Sequence, residues 1–179
     1  LRSSLMKKGY LPTSKNQNEP LQIRGSIPYW DQGNAFSSFR DNKDVFDHIA
    51  LFWYYMEQDG TVEKYQYTNE DQTIIDIAHE NKVKVAAVIT NLPDSENSDW
   101  DSARVERVIQ DPGIRAQHIQ NILTLLEERN FDGVSIDYER VRSEQKEVYS
   151  LFISELATAL HAEGKFVGVA LHPRNGESK

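Results

Sequence analysis

Residues 131–139 of this chain read Phe-Asp-Gly-Val-Ser-Ile-Asp-Tyr-Glu. Side chains alternate along a strand, so Ser135, Asp137 and Glu139 share one face while Val134, Ile136 and Tyr138 share the other. A lone acid at a strand end is ordinarily solvated by the adjoining loop. Two carboxylates two residues apart, on a strand otherwise built for burial, are costly unless each has a task or a partner. Close like charges resist joint ionisation, so one proton tends to be shared and one pKa rises. A carboxylic acid that keeps its proton near neutral pH is what a departing glycosidic oxygen needs.

Such a pair must be held by a scaffold, and the rest of the chain supplies its elements. Strand signals, short runs rich in β-branched and aromatic residues, fall at 23–30, 48–55, 83–91, 133–139 and 166–172. Helical segments lie between them. Asn69 with Gln72 three residues on reads as a capping box ahead of Ile74, Ile75 and Ala78. Asp111 and Pro112 form an N-cap and first-turn pair before the apolar face of Ile119, Ile122, Leu123 and Leu126. A further helix is predicted over 143–162, with Val148, Leu151, Phe152 and Leu156 inward and Gly164 as its stop. Alternation of strands and helices implies a parallel sheet with helices outside, either an open doubly wound sheet or a closed barrel. Neither G-x-G-x-x-G nor G-x-x-x-x-G-K-[ST] follows the first strand, which weighs against a nucleotide-binding open sheet.

Composition narrows the partners. The 28 acidic residues exceed the 20 basic ones, giving a formal charge of -8, and no basic stripe interleaves with aromatics, so a nucleic acid would be repelled. No apolar run reaches the roughly 20 residues needed to cross a bilayer. With no cysteine, disulfides and thiolate metal sites are ruled out, while the compartment stays open. His48, His79, His118 and His161 show no metal-ligand spacing, and His118 reads as a helix residue that is either solvated or caps a packing face. The expectation is therefore no metal and no cofactor.

Residues 132–139 resemble the D-G-x-D-x-D-x-E signature of glycoside hydrolase family 18, the chitinase family, which includes peptidoglycan-cleaving enzymes of bacterial spores. Ile-Pro-Tyr-Trp-Asp at 27–31, Phe-Trp-Tyr at 52–54 with Asp59-Gly60, and Val-Ala-Leu-His-Pro at 169–173 resemble the spore-hydrolase branch and occur in that family's order. The resemblance implies a (β/α)8 barrel, with its active site at the C-terminal mouth of the strands. It implies that Glu139 protonates the leaving oxygen and later activates water. Asp137, by the same comparison, orients the 2-acetamido group of the substrate, which in this family is itself the nucleophile. Asp132 and Gly133 are assigned to structure. Ser135 stands where the signature has its middle Asp, which removes a charge that would help Asp137 change protonation state.

The implied partner is an oligo- or polysaccharide containing N-acetylglucosamine, met outside the cell or in a bacterial envelope. Tyr29, Trp30, Trp53 and Tyr54 end the first two strands, where they line a sugar subsite or fill the barrel core. Asn91 and His172, at the ends of the third and fifth strands, are further substrate-binding candidates, and the acidic stretch 93–101 is a groove wall or a solvated loop. The domain expected is 23–179, preceded by a polar leader over 1–22. A full barrel has eight strands and only about the first five βα units are visible, so open edges are expected to favour self-association. The function expected is hydrolysis of β-1,4 bonds beside N-acetylated amino sugars in peptidoglycan or chitin. Its alternatives are a non-hydrolytic glycan-binding protein on the same scaffold, or a sugar-processing barrel of another family.

Overall fold

The computed structural model describes residues 21–171 apart from residue 96, so nearly all of the expected leader, and His172, lie outside the described residues. Five parallel strands stand in the order β1 (Arg24–Pro28), β2 (His48–Met56), β4 (Lys84–Thr90), β5 (Gly133–Asp137) and β6 (Phe166–Val169). Between β2 and β4 the short β3 (Val62–Lys64) pairs antiparallel with the far end of β2, a hairpin that the periodicity did not reveal. The helices are α1 (Gln32–Asp41), α2 (Gln72–Glu80), α3 (Ser102–Gln110), α4 (Pro112–Glu128) and α5 (Lys146–Ala162). The predicted strands are all present, but β4 and β5 stop short of Asn91 and Glu139, which therefore lie just beyond the ladder.

Most of the core lies between the sheet and the helices. Ile49, Leu51 and Trp53 of β2, Val85, Ala87 and Ile89 of β4, and Val134 and Ile136 of β5 meet Ile75, Ile122 and Phe152 there. On the opposite, lumen-facing side a small cluster of Ala50, Ala86 and Val88 packs with Phe52 and Phe166. Small residues there let the strands approach: a Cβ at Gly133 would run into the carbonyl and ring of Phe166.

Local sequence sets the helix starts. Asp111 accepts from the N–H groups of Gly113 (2.8 Å) and Ile114 (3.0 Å), as its place before Pro112 predicts. The capping box at Asn69 does not form. Asp71 is the N-cap of α2 and accepts from Thr73 N–H at 3.0 Å, while the Asn69 carbonyl takes the Gln32 amide. Over 143–162 the first three residues form a 3-10 turn, and Leu151 is exposed. The buried stripe of α5 runs through Phe152, Leu156 and Leu160, and Leu151 sits one helical step, about 100°, off it.

Candidate active site

Asp137 is the last residue of β5, opposite Thr90 of β4, and Ser135 lies opposite Val88. Val134, Ile136 and Tyr138 point into the helix-side core, so Ser135 and Asp137 face the lumen, as alternation requires. Glu139 follows at the strand's C-terminal end and lines a cavity of about 510 Å³ together with Arg140, Arg142, Lys146, Tyr149 and Leu171. That size lies within the range of small-molecule sites. Tyr149 stands close enough to both acids to matter to them. It borders the cavity, and burial together with the charge of Asp137 pushes its phenol up to about 12, so it stays neutral.

The chain around Glu139 is tightly held. Arg140 adopts a left-handed backbone (φ 58°), which for a residue with a Cβ must be imposed by its surroundings. Asn91, fully buried, donates from its side-chain amide to the carbonyls of Asp101 and Glu139 (both 3.0 Å) and accepts from Glu139 N–H (2.9 Å). Both amide hydrogens and the amide oxygen are therefore taken up by the protein's own main chain, where a substrate contact was expected. The acidic stretch is likewise engaged: Asp94 accepts from Gln66 N–H, Asp99 pairs with Arg140 at 2.5 Å, and Asp101 caps α3.

Asp132, which the resemblance assigns to structure, directly precedes β5. Its carboxylate accepts from Val85 N–H at 2.7 Å and meets His79 Nε2 at 2.8 Å, tying the base of β5 to β4 and α2. His118 takes the packed alternative, not the solvated one. It is fully buried on α4, its Nδ1–H donates to the Gly60 carbonyl (2.7 Å), and its Nε2 accepts from the Tyr138 hydroxyl (2.6 Å). Because a carbonyl can only accept, this contact sets the neutral tautomer. Burial lowers the imidazole pKa to about 4, against the opposing pull of the Gly60 hydrogen bond.

The aromatic candidates divide. Trp30 is 65% exposed beside the mouth, edge-on to Tyr29 and Phe52, and the partly buried Tyr29 stacks on Tyr65 at 4.7 Å. Trp53 and Tyr54, only 1% and 2% exposed, pack in the helix-side core against Phe131 and line no subsite. The cause is a bulge in β2: Phe52 pairs with Val88 and Tyr54 with Ile89, so Trp53 is the extra residue and parity changes after it. Strict alternation would have sent one of them to each face. The Tyr54 hydroxyl donates instead to Glu70 (2.7 Å), and Glu70 also pairs with Arg129 (2.7 Å). Tyr65 was missed: it follows β3, and its hydroxyl bonds Thr90 Oγ1 (2.7 Å) and the Leu92 carbonyl (2.9 Å) beneath Tyr29 and Phe52. A single Tyr between the second and third strand signals carries no signal of its own.

Among the described residues no group of His, Cys, Asp or Glu is arranged to hold a metal ion, and no helix is long and apolar enough to cross a membrane.

The profile of the glycosyl hydrolases family 18 matches residues 25–177, which run from the second residue of β1 through β6 and include both acids. The chain belongs to that family. It is 26% identical over 132 residues to the cortical fragment-lytic enzyme of Bacillus cereus, covering 74% of this chain and 29% of that protein. The family fold is equally plain in solved structures. The spore cortex-lytic enzyme SleL of Bacillus cereus superposes with a TM-score of 0.75 at 22% identity, over 86% of this chain and 36% of that one. A chitinase from Chromobacterium violaceum gives 0.71 at 20% identity, over 82% and 44%. The chain thus spans about 30% of the length of curated relatives that it matches. Its parallel sheet with flanking helices is part of the α/β barrel of these family 18 proteins.

Proposed function

We propose that this chain carries the acid–base part of a glycoside hydrolase site that cleaves β-1,4 bonds next to N-acetylated amino sugars, in peptidoglycan or chitin. The observation that carries the reading is the placement of Asp137 and Glu139 at the C-terminal end of β5, with the Glu139 cavity beside them and the alternate residues in the core. Family membership supports the reaction class, and relatives named as cortex-lytic enzyme and chitinase support the two polymers. In this reading Glu139 gives its proton to the departing oxygen and afterwards takes one from water. Asp137 holds the 2-acetamido group, whose carbonyl oxygen attacks the anomeric carbon, so no second protein carboxylate is needed as nucleophile. Tyr149, held neutral and near Asp137, is able to donate a hydrogen bond there.

Trp30 offers the exposed ring on which a sugar face stacks. Trp30→Ala should weaken oligosaccharide binding by about tenfold, the scale of one ring contact of ~1.4 kcal/mol, while the unfolding free energy changes by less than about 0.5 kcal/mol. Titration calorimetry beside urea unfolding checks both, and unchanged affinity removes Trp30 from the site. Action on an envelope polymer implies that the protein is secreted or lies in the cell envelope. Part of the same reading is that β1 and β6, the ends of the described sheet, pair with further chain or with a second copy.

The deciding experiment compares N-acetylated with de-N-acetylated oligomers of equal length, on the full-length protein. Because the acetamido group is the proposed nucleophile, turnover of the deacetylated oligomer should fall by at least about 10²-fold. Equal rates would point to a sugar-processing barrel of another kind. Tight binding without turnover of either would favour the glycan-binding alternative, for which Ser135 in place of an acid is the specific observation.

A further inference from the structure

Glu139 lies two residues beyond the last residue of β5, where the ladder no longer holds the backbone. Its main chain is nevertheless bonded on both sides of its own residue, and by one side chain. The Asn91 carboxamide accepts from Glu139 N–H at 2.9 Å and donates to the Glu139 carbonyl at 3.0 Å, while its second amide hydrogen reaches the Asp101 carbonyl at 3.0 Å. Only one orientation of the amide satisfies all three partners, since two are carbonyls and one is an N–H. Asn91 directly follows β4, whose last residue, Thr90, is paired with Asp137. The planar amide thus presents a donor and an acceptor side by side, as a neighbouring strand would, and continues the β4–β5 pairing by way of a side chain.

A second buried contact acts on the preceding residue. The Tyr138 hydroxyl donates to His118 Nε2 (2.6 Å), and His118 is anchored by the Gly60 carbonyl (2.7 Å), with Gly60 at φ 85° against the His118 and Ile114 side chains. Beyond Glu139 the left-handed Arg140 turns the chain sharply. Residues 138–140 are therefore clamped from the core side by His118 and from the β4 side by Asn91.

We infer that Asn91 is a positioning residue for Glu139: it holds the main chain of the acid at the angle from which its carboxyl reaches the glycosidic oxygen. This rests on the reading of Glu139 given above. Asn91 touches no substrate in this arrangement, so its loss should act on the chemical step and leave ground-state binding alone. A misplacement on the order of 1 Å costs about 10²-fold in rate.

The test uses Asn91→Ala and Asn91→Asp in the full-length protein, with Glu139→Gln in parallel, on N-acetylated oligosaccharides. Asn91→Asp keeps an acceptor for Glu139 N–H but loses the donor to its carbonyl. Expected are a kcat lowered by about 10² for Asn91→Ala and by at least as much for Asn91→Asp, a KM within about threefold, and a displaced acid–base pH profile. The profile separates misplacement from a smaller folded fraction, which scales kcat without moving the profile. A kcat within threefold in a folded variant overturns the inference, as does a lower kcat on an unmoved profile. If Asn91→Ala does not fold, Asn91→Ser decides by the same measures, and failure of both to fold assigns Asn91 to stability alone. Glu139→Gln that retains turnover sinks the underlying reading, whereas an inactive Glu139→Gln beside an active Asn91→Ala sinks only the positioning role.

Discussion

Glu139→Gln should lower kcat by about 10³-fold, within the range that one positioned general acid–base group supplies, and leave KM within a few-fold of the parent. The amide has nearly the shape of the carboxyl but has no proton to give to a leaving alkoxide and cannot take one from water. Its main chain is fixed by Asn91 whatever the side chain, so the variant should fold with the parent's stability. Oligosaccharide binding measured by calorimetry should persist, because the aromatic surface around Trp30 and Tyr29 is untouched. Rates from reducing-end release, set beside that binding, separate catalysis from recognition. Activity within tenfold of the parent would remove Glu139 from the acid–base role, and a folded parent that binds without turnover would leave a glycan-binding protein.

The second large effect is on stability in acid. His118 is fully buried and neutral, with a pKa of about 4, whereas in the unfolded chain an imidazole titrates near 6.5. Below pH 6.5 the unfolded state therefore binds the extra proton first, and the native state is penalised. Stability is fully present above about pH 6.5 and is lost as pH falls toward 4, by about 3 kcal/mol at order of magnitude. Urea unfolding between pH 7 and pH 4 measures the slope. In His118→Phe, which does not titrate, the slope over this window should flatten, although the variant starts less stable because the Gly60 carbonyl and the Tyr138 hydroxyl lose their partner. A parent that is equally stable at pH 7 and pH 4, or a slope that survives in His118→Phe, would show that protonation of this ring does not govern acid unfolding. Because His118 supports Tyr138, next to both acids, the same protonation should loosen the site before the protein unfolds globally.

Much of the scaffold was legible in the sequence because its signals are local. Alternation along 133–139 was enough to separate Val134, Ile136 and Tyr138 from Ser135 and Asp137, since a regular strand has a period of two. The cap at Asp111 was readable for the same reason: the acceptor and the two N–H groups it satisfies lie within three residues. Family membership, too, was written in one short signature and the order of three others, and the profile over residues 25–177 agrees. At α2 the cap is Asp71, two residues beyond Asn69, while the Asn69 carbonyl accepts from Gln32, 37 residues away.

What the tertiary structure decided is where a side chain's partner comes from elsewhere in the chain. A single bulge between Phe52 and Tyr54 reversed the parity of β2 and put Trp53 and Tyr54 together beneath the helices, an outcome fixed by the register against β4. For His118 the helix pattern left solvent and a packing face both open, and Gly60 and Tyr138, 58 and 20 residues away, decided it by enclosing the ring. Asn91 looked like a mouth residue until its amide was found on the backbone of Glu139, 48 residues on. The chain by itself thus determined which acids gather at the end of one strand and what reaction class they suit, through periodicity and a local motif. The folded molecule alone determined how that strand's end is held, because a buried polar group is explained only by the distant group that satisfies it.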